Sequence, residues 1–180
     1  MTVRPNTPTV TLRRLTPHDD LTGVAGLMAG YLAEIRRKLR EGYGAKLEDA
    51  TPDSDLLVQI APLLRPPQAL YLAEVDGRPA GTGGLKEVGP GTAEVKRMYV
   101  DPAFRRHGVA RAVLRRLIDD ARAAGYGALR LETTVWMVEA HALYRSCGFV
   151  DAAPFPDPEF GCHPGFEHLA RYMVLPLEQR

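Results

Sequence analysis

Three observations predict a mixed α/β fold. Ala69–Val75 and Pro79–Lys86 are short apolar runs joined by Asp76-Gly77, a dipeptide favoured in two-residue hairpin loops because both central positions take positive φ. Thr92–Val100 reads as a further strand. The stretch after it puts Val109, Ala110, Val113, Leu114, Leu117, Ile118 and Ala121 on one helical stripe that ends at Gly125. Leu129–Thr134 then resumes strand character. A strand–helix–strand crossover of this kind is right-handed, which makes 92–100 and 128–134 parallel neighbours.

The remaining elements follow in order. Residues 1–8 are rich in Pro and Thr and read as a loose arm. Val10–Leu15 has strand character, and Thr16-Pro17-His18-Asp19-Asp20 is a turn that starts a helix. Leu21, Val24, Leu27, Met28, Tyr31, Leu32, Ile35 and Leu39 recur at helical spacing over 19–40, with Gly30 as an expected break. A polar loop covers 41–52, and a second helix over 54–65 stops at Pro66-Pro67. Gly89-Pro90-Gly91 turns the chain into strand 92–100. A helix over 138–146 ends at Gly148, Phe149-Val150 opens another strand, 154–168 is a long loop, and 171–177 is the last strand. There are no internal repeats.

Composition narrows the function. With 180 residues, 45% hydrophobic and 25% charged, the chain reads as one globular domain over 1–180. A net charge of +1 supplies no global field for nucleic acid or an anionic membrane. No apolar run has the roughly 18 residues a membrane span needs, and the N-terminus lacks a signal-peptide pattern. Cys147 and Cys162 have no CxxC spacing, so reduced thiols and a cytoplasmic location are expected. Cys162-His163 with His168 lacks the paired spacing of a metal site, and Gly81-Thr82-Gly83-Gly84 lacks the lysine of a phosphate-binding P-loop.

The stretch richest in chemistry is Val95–Ala110. A strand runs through the basic loop Arg105-Arg106-His107 into a helix opening at Gly108. Unpaired N–H groups and the positive dipole end of a helix N-terminus attract an anion, and a small residue there admits a phosphate to the backbone. The same three side chains would also serve as an ordinary solvated basic turn.

Arg105-Arg106-His107-Gly108-Val109-Ala110 resembles the R/Q-x-x-G-x-G/A signature of the GNAT acyltransferases. Glu94–Val100 before it resembles that family's central strand, Leu131-Glu132-Thr133 its next strand, and Leu143-Tyr144-Arg145-Ser146-Cys147-Gly148-Phe149 its "LY…GF" passage. The matches span about residues 70–150. The resemblance implies a GNAT fold: a central mixed, mostly antiparallel sheet with helices on both faces and a splayed parallel strand pair that receives acetyl-CoA. It implies that Met98, Tyr99 and Val100 offer backbone groups to the pantetheine arm, and that Arg105, Arg106, His107, Gly108, Val109 and Ala110 hold the diphosphate. The activity implied is acetyl transfer to a primary amine, on a small molecule or a peptide, by direct attack in a ternary complex. A non-catalytic acyl-CoA sensor on the same fold is the alternative.

Such chemistry needs a neutral amine, a polarised carbonyl and a proton for the departing thiolate. Tyr144 matches the family position whose phenol protonates that thiolate. It also shares a helical face with Ala140, Leu143 and Cys147, as a core tyrosine would. Glu94 is the candidate base, and an ion pair with Lys96 or Arg97 accounts for it equally well. Strand alternation sets Glu94, Lys96 and Met98 on one face and Val95, Arg97 and Tyr99 on the other. Met137 stands where the family often has a ligand-contacting asparagine, and its neighbour Trp136 would wall a pocket or pack in the core. Glu34, Glu41, Glu48, Asp49 and Asp157 are carboxylates that could attract a cationic acceptor, no metal is called for, and the edges of an open sheet allow a homodimer.

Overall fold

The structure, a computed structural model, describes residues 9–44 and 53–178. The arm expected over 1–8 and the carboxylates Glu48 and Asp49 lie outside the described residues. Contacts gather the chain into two compact units: residues up to Gly84 with Arg97–Leu114, and Leu85–Lys96 with Arg115 onward.

In the first unit, β1 (Val10–Arg14) pairs antiparallel with β2 (Ala69–Val75), in a register running from Val10↔Val75 to Arg14↔Tyr71. The Asp76-Gly77 turn has φ of 50° and 76°, as a two-residue hairpin demands, and leads into β3 (Arg78–Gly89). Helix α1 (Thr22–Tyr43) starts where Asp20 accepts bonds from the Thr22 amide and hydroxyl at 2.9 and 2.6 Å. It runs unbroken through Gly30, against expectation. A Cβ at Gly30 would lie 3.2 Å from the Tyr99 hydroxyl, so the glycine permits a close helix approach and makes no break. The second helix is shorter than expected: α2 covers Asp53–Ile60, and a 3-10 turn over Ala61–Leu64 completes the segment before Pro66. Leu15, Val24, Leu27, Met28, Ile60, Leu63, Leu70 and Leu72 are among the buried side chains that form this unit's core. Each such side chain contributes about 1.5–3 kcal/mol on burial.

Strand β4 (Thr92–Val100) passes through both units. Its parallel register with β5 (Ala128–Thr134) extends from Thr92↔Ala128 to Val95↔Leu131, and β4 continues beyond it. Arg97 breaks the expected strict alternation. Its φ is +55°, a left-handed residue inside a strand that re-aims the side chains after it in the manner of a bulge.

In the second unit, β5 pairs antiparallel with β7 (Ala170–Pro176) over its whole length. β6 is only Val150–Asp151, paired to Val174 and Met173. Helix α3 (Val109–Ala123) leads into the crossover, and α4 (Val138–Ser146) ends before Gly148 as expected. The 154–168 stretch is irregular up to a 3-10 turn over Glu167–Leu169. The strand order is β1-β2-β3-β4-β5-β7-β6, with β4–β5 the parallel pair. No helix among the described residues is long and apolar enough to cross a membrane.

Candidate functional site

In the first unit lie the end of β4, the loop after it and the start of α3, the stretch where the sequence reading expects an anion site. The Asp101 amide donates to the Ala80 carbonyl at 2.9 Å, so β4 remains tied to β3 there. Backbone direction alternates along a strand, which turns the polar groups of Tyr99 toward β3 and those of Met98 and Val100 away from it. Of the three strand residues predicted to meet a ligand, Met98 and Val100 therefore present backbone groups on the side away from β3. Tyr99 contributes its side chain, which packs on Tyr31 of α1 with ring centroids 5.7 Å apart.

The loop is shaped by positive φ at Arg106 (66°) and Gly108 (80°). The first α-helical bond runs from the Ala112 amide to the Gly108 carbonyl at 2.9 Å, leaving the N–H groups of Val109, Ala110 and Arg111 ahead of the helical ladder. The space where a Cβ would stand on Gly108 is open. Arg106, His107 and Gly108 are exposed, Ala110 is half-buried and Val109 is buried. An anion such as a diphosphate fits this turn: three amides, a helix dipole, and cationic side chains at its rim. Arg105 differs from its neighbours. Its guanidinium turns back to donate to the Val100 carbonyl at 3.3 Å and to Glu34 of α1 at 2.6 Å.

In the second unit, Glu94 is 3% exposed and lies at the centre of an ion network. Lys96 Nζ reaches one of its oxygens at 2.6 Å and Arg130 Nε the other at 2.8 Å. Lys96 also pairs with Glu159 at 2.7 Å, and Arg130 donates to both oxygens of Asp157 at 2.8 and 2.9 Å. The guanidinium lies over the Phe155 ring, 4.5 Å from its centroid. Burial pulls the Lys96 ammonium toward the neutral form, but Glu159 and Glu94 outweigh it and hold its pKa above the usual lysine value. Of the two readings open at the sequence level, the ion pair with Lys96 is present, joined by a partner, Arg130, that the sequence reading did not name. The one signal in the sequence is weak: an arginine within the apolar run Ala128–Leu131 of a strand expected at the centre of the sheet, where a buried charge needs an anion.

Next on β5, Glu132 receives the consecutive amides of Glu159, Phe160 and Gly161, at 2.6, 3.2 and 2.7 Å. Three loop amides around one carboxylate form an anion nest filled from within. This is a second anchor of the 154–168 loop absent from the sequence reading.

Tyr144 lies on α4, 6% exposed, its ring packed on Phe149 at 5.8 Å between centroids. It is thus a buried residue of this unit. His141, one turn earlier, bonds through Nε2 to the Thr134 carbonyl at 3.0 Å and fastens α4 to the end of β5. At Met137 the side-chain sulfur accepts from the Thr133 hydroxyl at 3.5 Å, and the side chain has no amide to donate. Trp136 packs edge-on against Phe160 of the loop at 5.9 Å. Among the described residues no group of His, Cys, Asp and Glu could hold a metal ion.

A mixed sheet with a parallel β4–β5 pair, and a positive-φ turn between strand and helix, defines an α/β domain of the acetyltransferase type to which its relatives belong. The acetyltransferase (GNAT) family profile matches residues 32–149. The chain is 35% identical over 156 residues to the IAA acetyltransferase of Azospirillum brasilense, covering 84% of this chain and 94% of that protein. It is 31% identical over 150 residues to YjgM, an uncharacterised N-acetyltransferase of Escherichia coli, covering 82% and 84%. In fold it is similar to a GNAT-family acetyltransferase of Staphylococcus aureus, with a TM-score of 0.67 at 17% identity over 94% and 100% of the two chains. The chain belongs to the acetyltransferase (GNAT) family and is an acetyl-CoA-dependent N-acetyltransferase.

Proposed function

We propose that this enzyme acetylates a primary amine, on a small molecule or a peptide, by direct attack in a ternary complex, with the acetyl donor's diphosphate on the turn ahead of α3. The observation that carries the reading is the Gly108 turn, with positive φ, open space at its Cβ position and three helix-start amides ahead of the first α-helical bond. Gly108, Val109 and Ala110 bind through their backbone, Arg106 and His107 add charge, and Arg105 secures the root of the loop. Met98 and Val100 align the pantetheine arm through backbone groups, and the Tyr99 side chain lines that strand end. The donor supplies an activated acetyl thioester.

The protein's own groups then manage protons. A lysine-like amine has a reference pKa of about 10.4, so the attacking nitrogen must shed a proton to solvent water before its lone pair can form the new C–N bond. Cleavage of the C–S bond leaves a thiolate, and the Tyr144 phenol gives its proton to that sulfur. Glu94 acts as the buried anion that positions Lys96 and Arg130. Cations already occupy both its oxygens, which supports positioning over proton abstraction. The free thiols Cys147 and Cys162 support a reducing, cytoplasmic setting, and an open sheet edge suits a homodimer.

Tyr144→Phe tests the acid. Turnover, followed by release of free CoA, is expected to fall about 10²-fold or more, while the acetyl-CoA Kd by calorimetry stays within twofold. Unchanged turnover would remove Tyr144 from the mechanism.

A further inference from the structure

We infer that Glu34 is a positioning residue of the donor site, holding the end of β4 through Arg105. The inference rests on the reading that the end of β4 and the loop after it receive acetyl-CoA.

Glu34 sits on the face of α1 that also carries Gly30 and Tyr31, and this face lies on Tyr99. Its carboxylate reaches Arg105 Nη2 at 2.6 Å, and Arg105 Nε donates to the Val100 carbonyl at 3.3 Å. One cation thus links a helix carboxylate to a strand-end carbonyl. A guanidinium suits the task because its donors have a fixed planar fork.

Two consequences follow. The Val100 carbonyl already accepts from Arg105, so its N–H is the backbone group of Val100 left without that contact for a ligand. The Arg105 charge is compensated by Glu34, so the side chain that opens the basic loop acts as a strut, and the diphosphate falls to Arg106, His107 and the helix-start amides. Burial first, and then the Glu34 charge, raise the Tyr99 phenol above its ordinary pKa against the pull of Arg105. Tyr99 therefore stays protonated near neutral pH. Without Glu34, Arg105 loses its fixed anion and is free to swing toward the phosphates, and the strand end loses its brace.

The test is a double-mutant cycle on kcat/KM for acetyl-CoA at saturating amine, with the acetyl-CoA Kd measured alongside. Glu34→Ala and Arg105→Ala are each expected to lower kcat/KM about tenfold, chiefly through KM, as for loss of a charge-assisted hydrogen bond. The double variant is expected to lie within about twofold of Arg105→Ala alone, because the two residues act in series. Glu34→Gln keeps the volume and loses the charge, and is expected to fall between wild type and Glu34→Ala; the cycle is read with it if Glu34→Ala loses its cooperative melt. Multiplicative losses in the double variant, or wild-type kinetics for both Glu34 variants, overturn the inference. Failure of the wild-type enzyme to bind acetyl-CoA is a separate result: it removes the donor reading and this inference with it.

Discussion

Glu94 illustrates how a single buried charge organises its surroundings. Its two oxygens receive an ammonium and a guanidinium, and those cations pass the interaction on to Glu159 and Asp157. Removing one member of a buried ion pair leaves the other uncompensated, at a cost of about 3–5 kcal/mol. Glu94→Ala is therefore expected to lose stability of that order in urea denaturation, well beyond an ordinary surface substitution. Glu94→Gln is expected to keep the pH dependence of kcat in the fraction that remains folded. A kcat profile that loses its acidic limb in Glu94→Gln, with stability intact, would return Glu94 to the role of general base. The sequence placed this residue on the right strand. It could not show the partners, because Arg130, Asp157 and Glu159 lie far along the chain and are brought together only by the β4–β5 register and the course of the loop.

At the scale of elements, the regular pieces were legible from periodicity and turn chemistry. Strands β2 and β3, the Asp76-Gly77 hairpin, α3, β5 and α4 lie close to where spacing puts them. The departures have local causes. Arg97 takes a positive φ although nothing in its residue type calls for one, and α1 continues through Gly30 because packing on Tyr99 outweighs a glycine's modest helix penalty. The 154–168 loop has no periodicity to read. Its order comes from the pins on Lys96, Arg130 and Glu132, and that makes it sensitive to acid. The Arg130 guanidinium holds the Asp157 carboxyl below its ordinary value of 3.8. A carboxyl lowered in the folded state lends stability above its unfolded pKa and loses it as pH falls through the lowered one. Trp136, the single tryptophan, touches Phe160 and so reports on the loop. Its emission is expected to hold steady from neutral pH to about 4 and to change below that, as Asp157 protonates. Asp157→Asn is expected to show the altered emission already at pH 7. Steady emission in that variant and throughout the acid range would mean that the Arg130 pair does not hold the loop.

At the scale of the whole molecule, the strand–loop–helix turn ahead of α3 is the place we propose for the donor within the GNAT fold. Family membership supplies the reaction class, and the turn supplies the feature a ligand can test. Gly108 is its most exacting residue: φ is +80°, and a β-branched side chain there is strained by about 1–3 kcal/mol even though space is open. The most direct measurement is calorimetric titration of the wild-type enzyme and Gly108→Val with acetyl-CoA, with ATP as the competing phosphate ligand. The expected result is saturable binding of acetyl-CoA by wild type, at least tenfold weaker binding by Gly108→Val with its thermal melt still cooperative, and no comparable binding of ATP. Equal acetyl-CoA affinity in the two proteins, or tight ATP binding with none for acetyl-CoA, would contradict the placement of the donor on this turn.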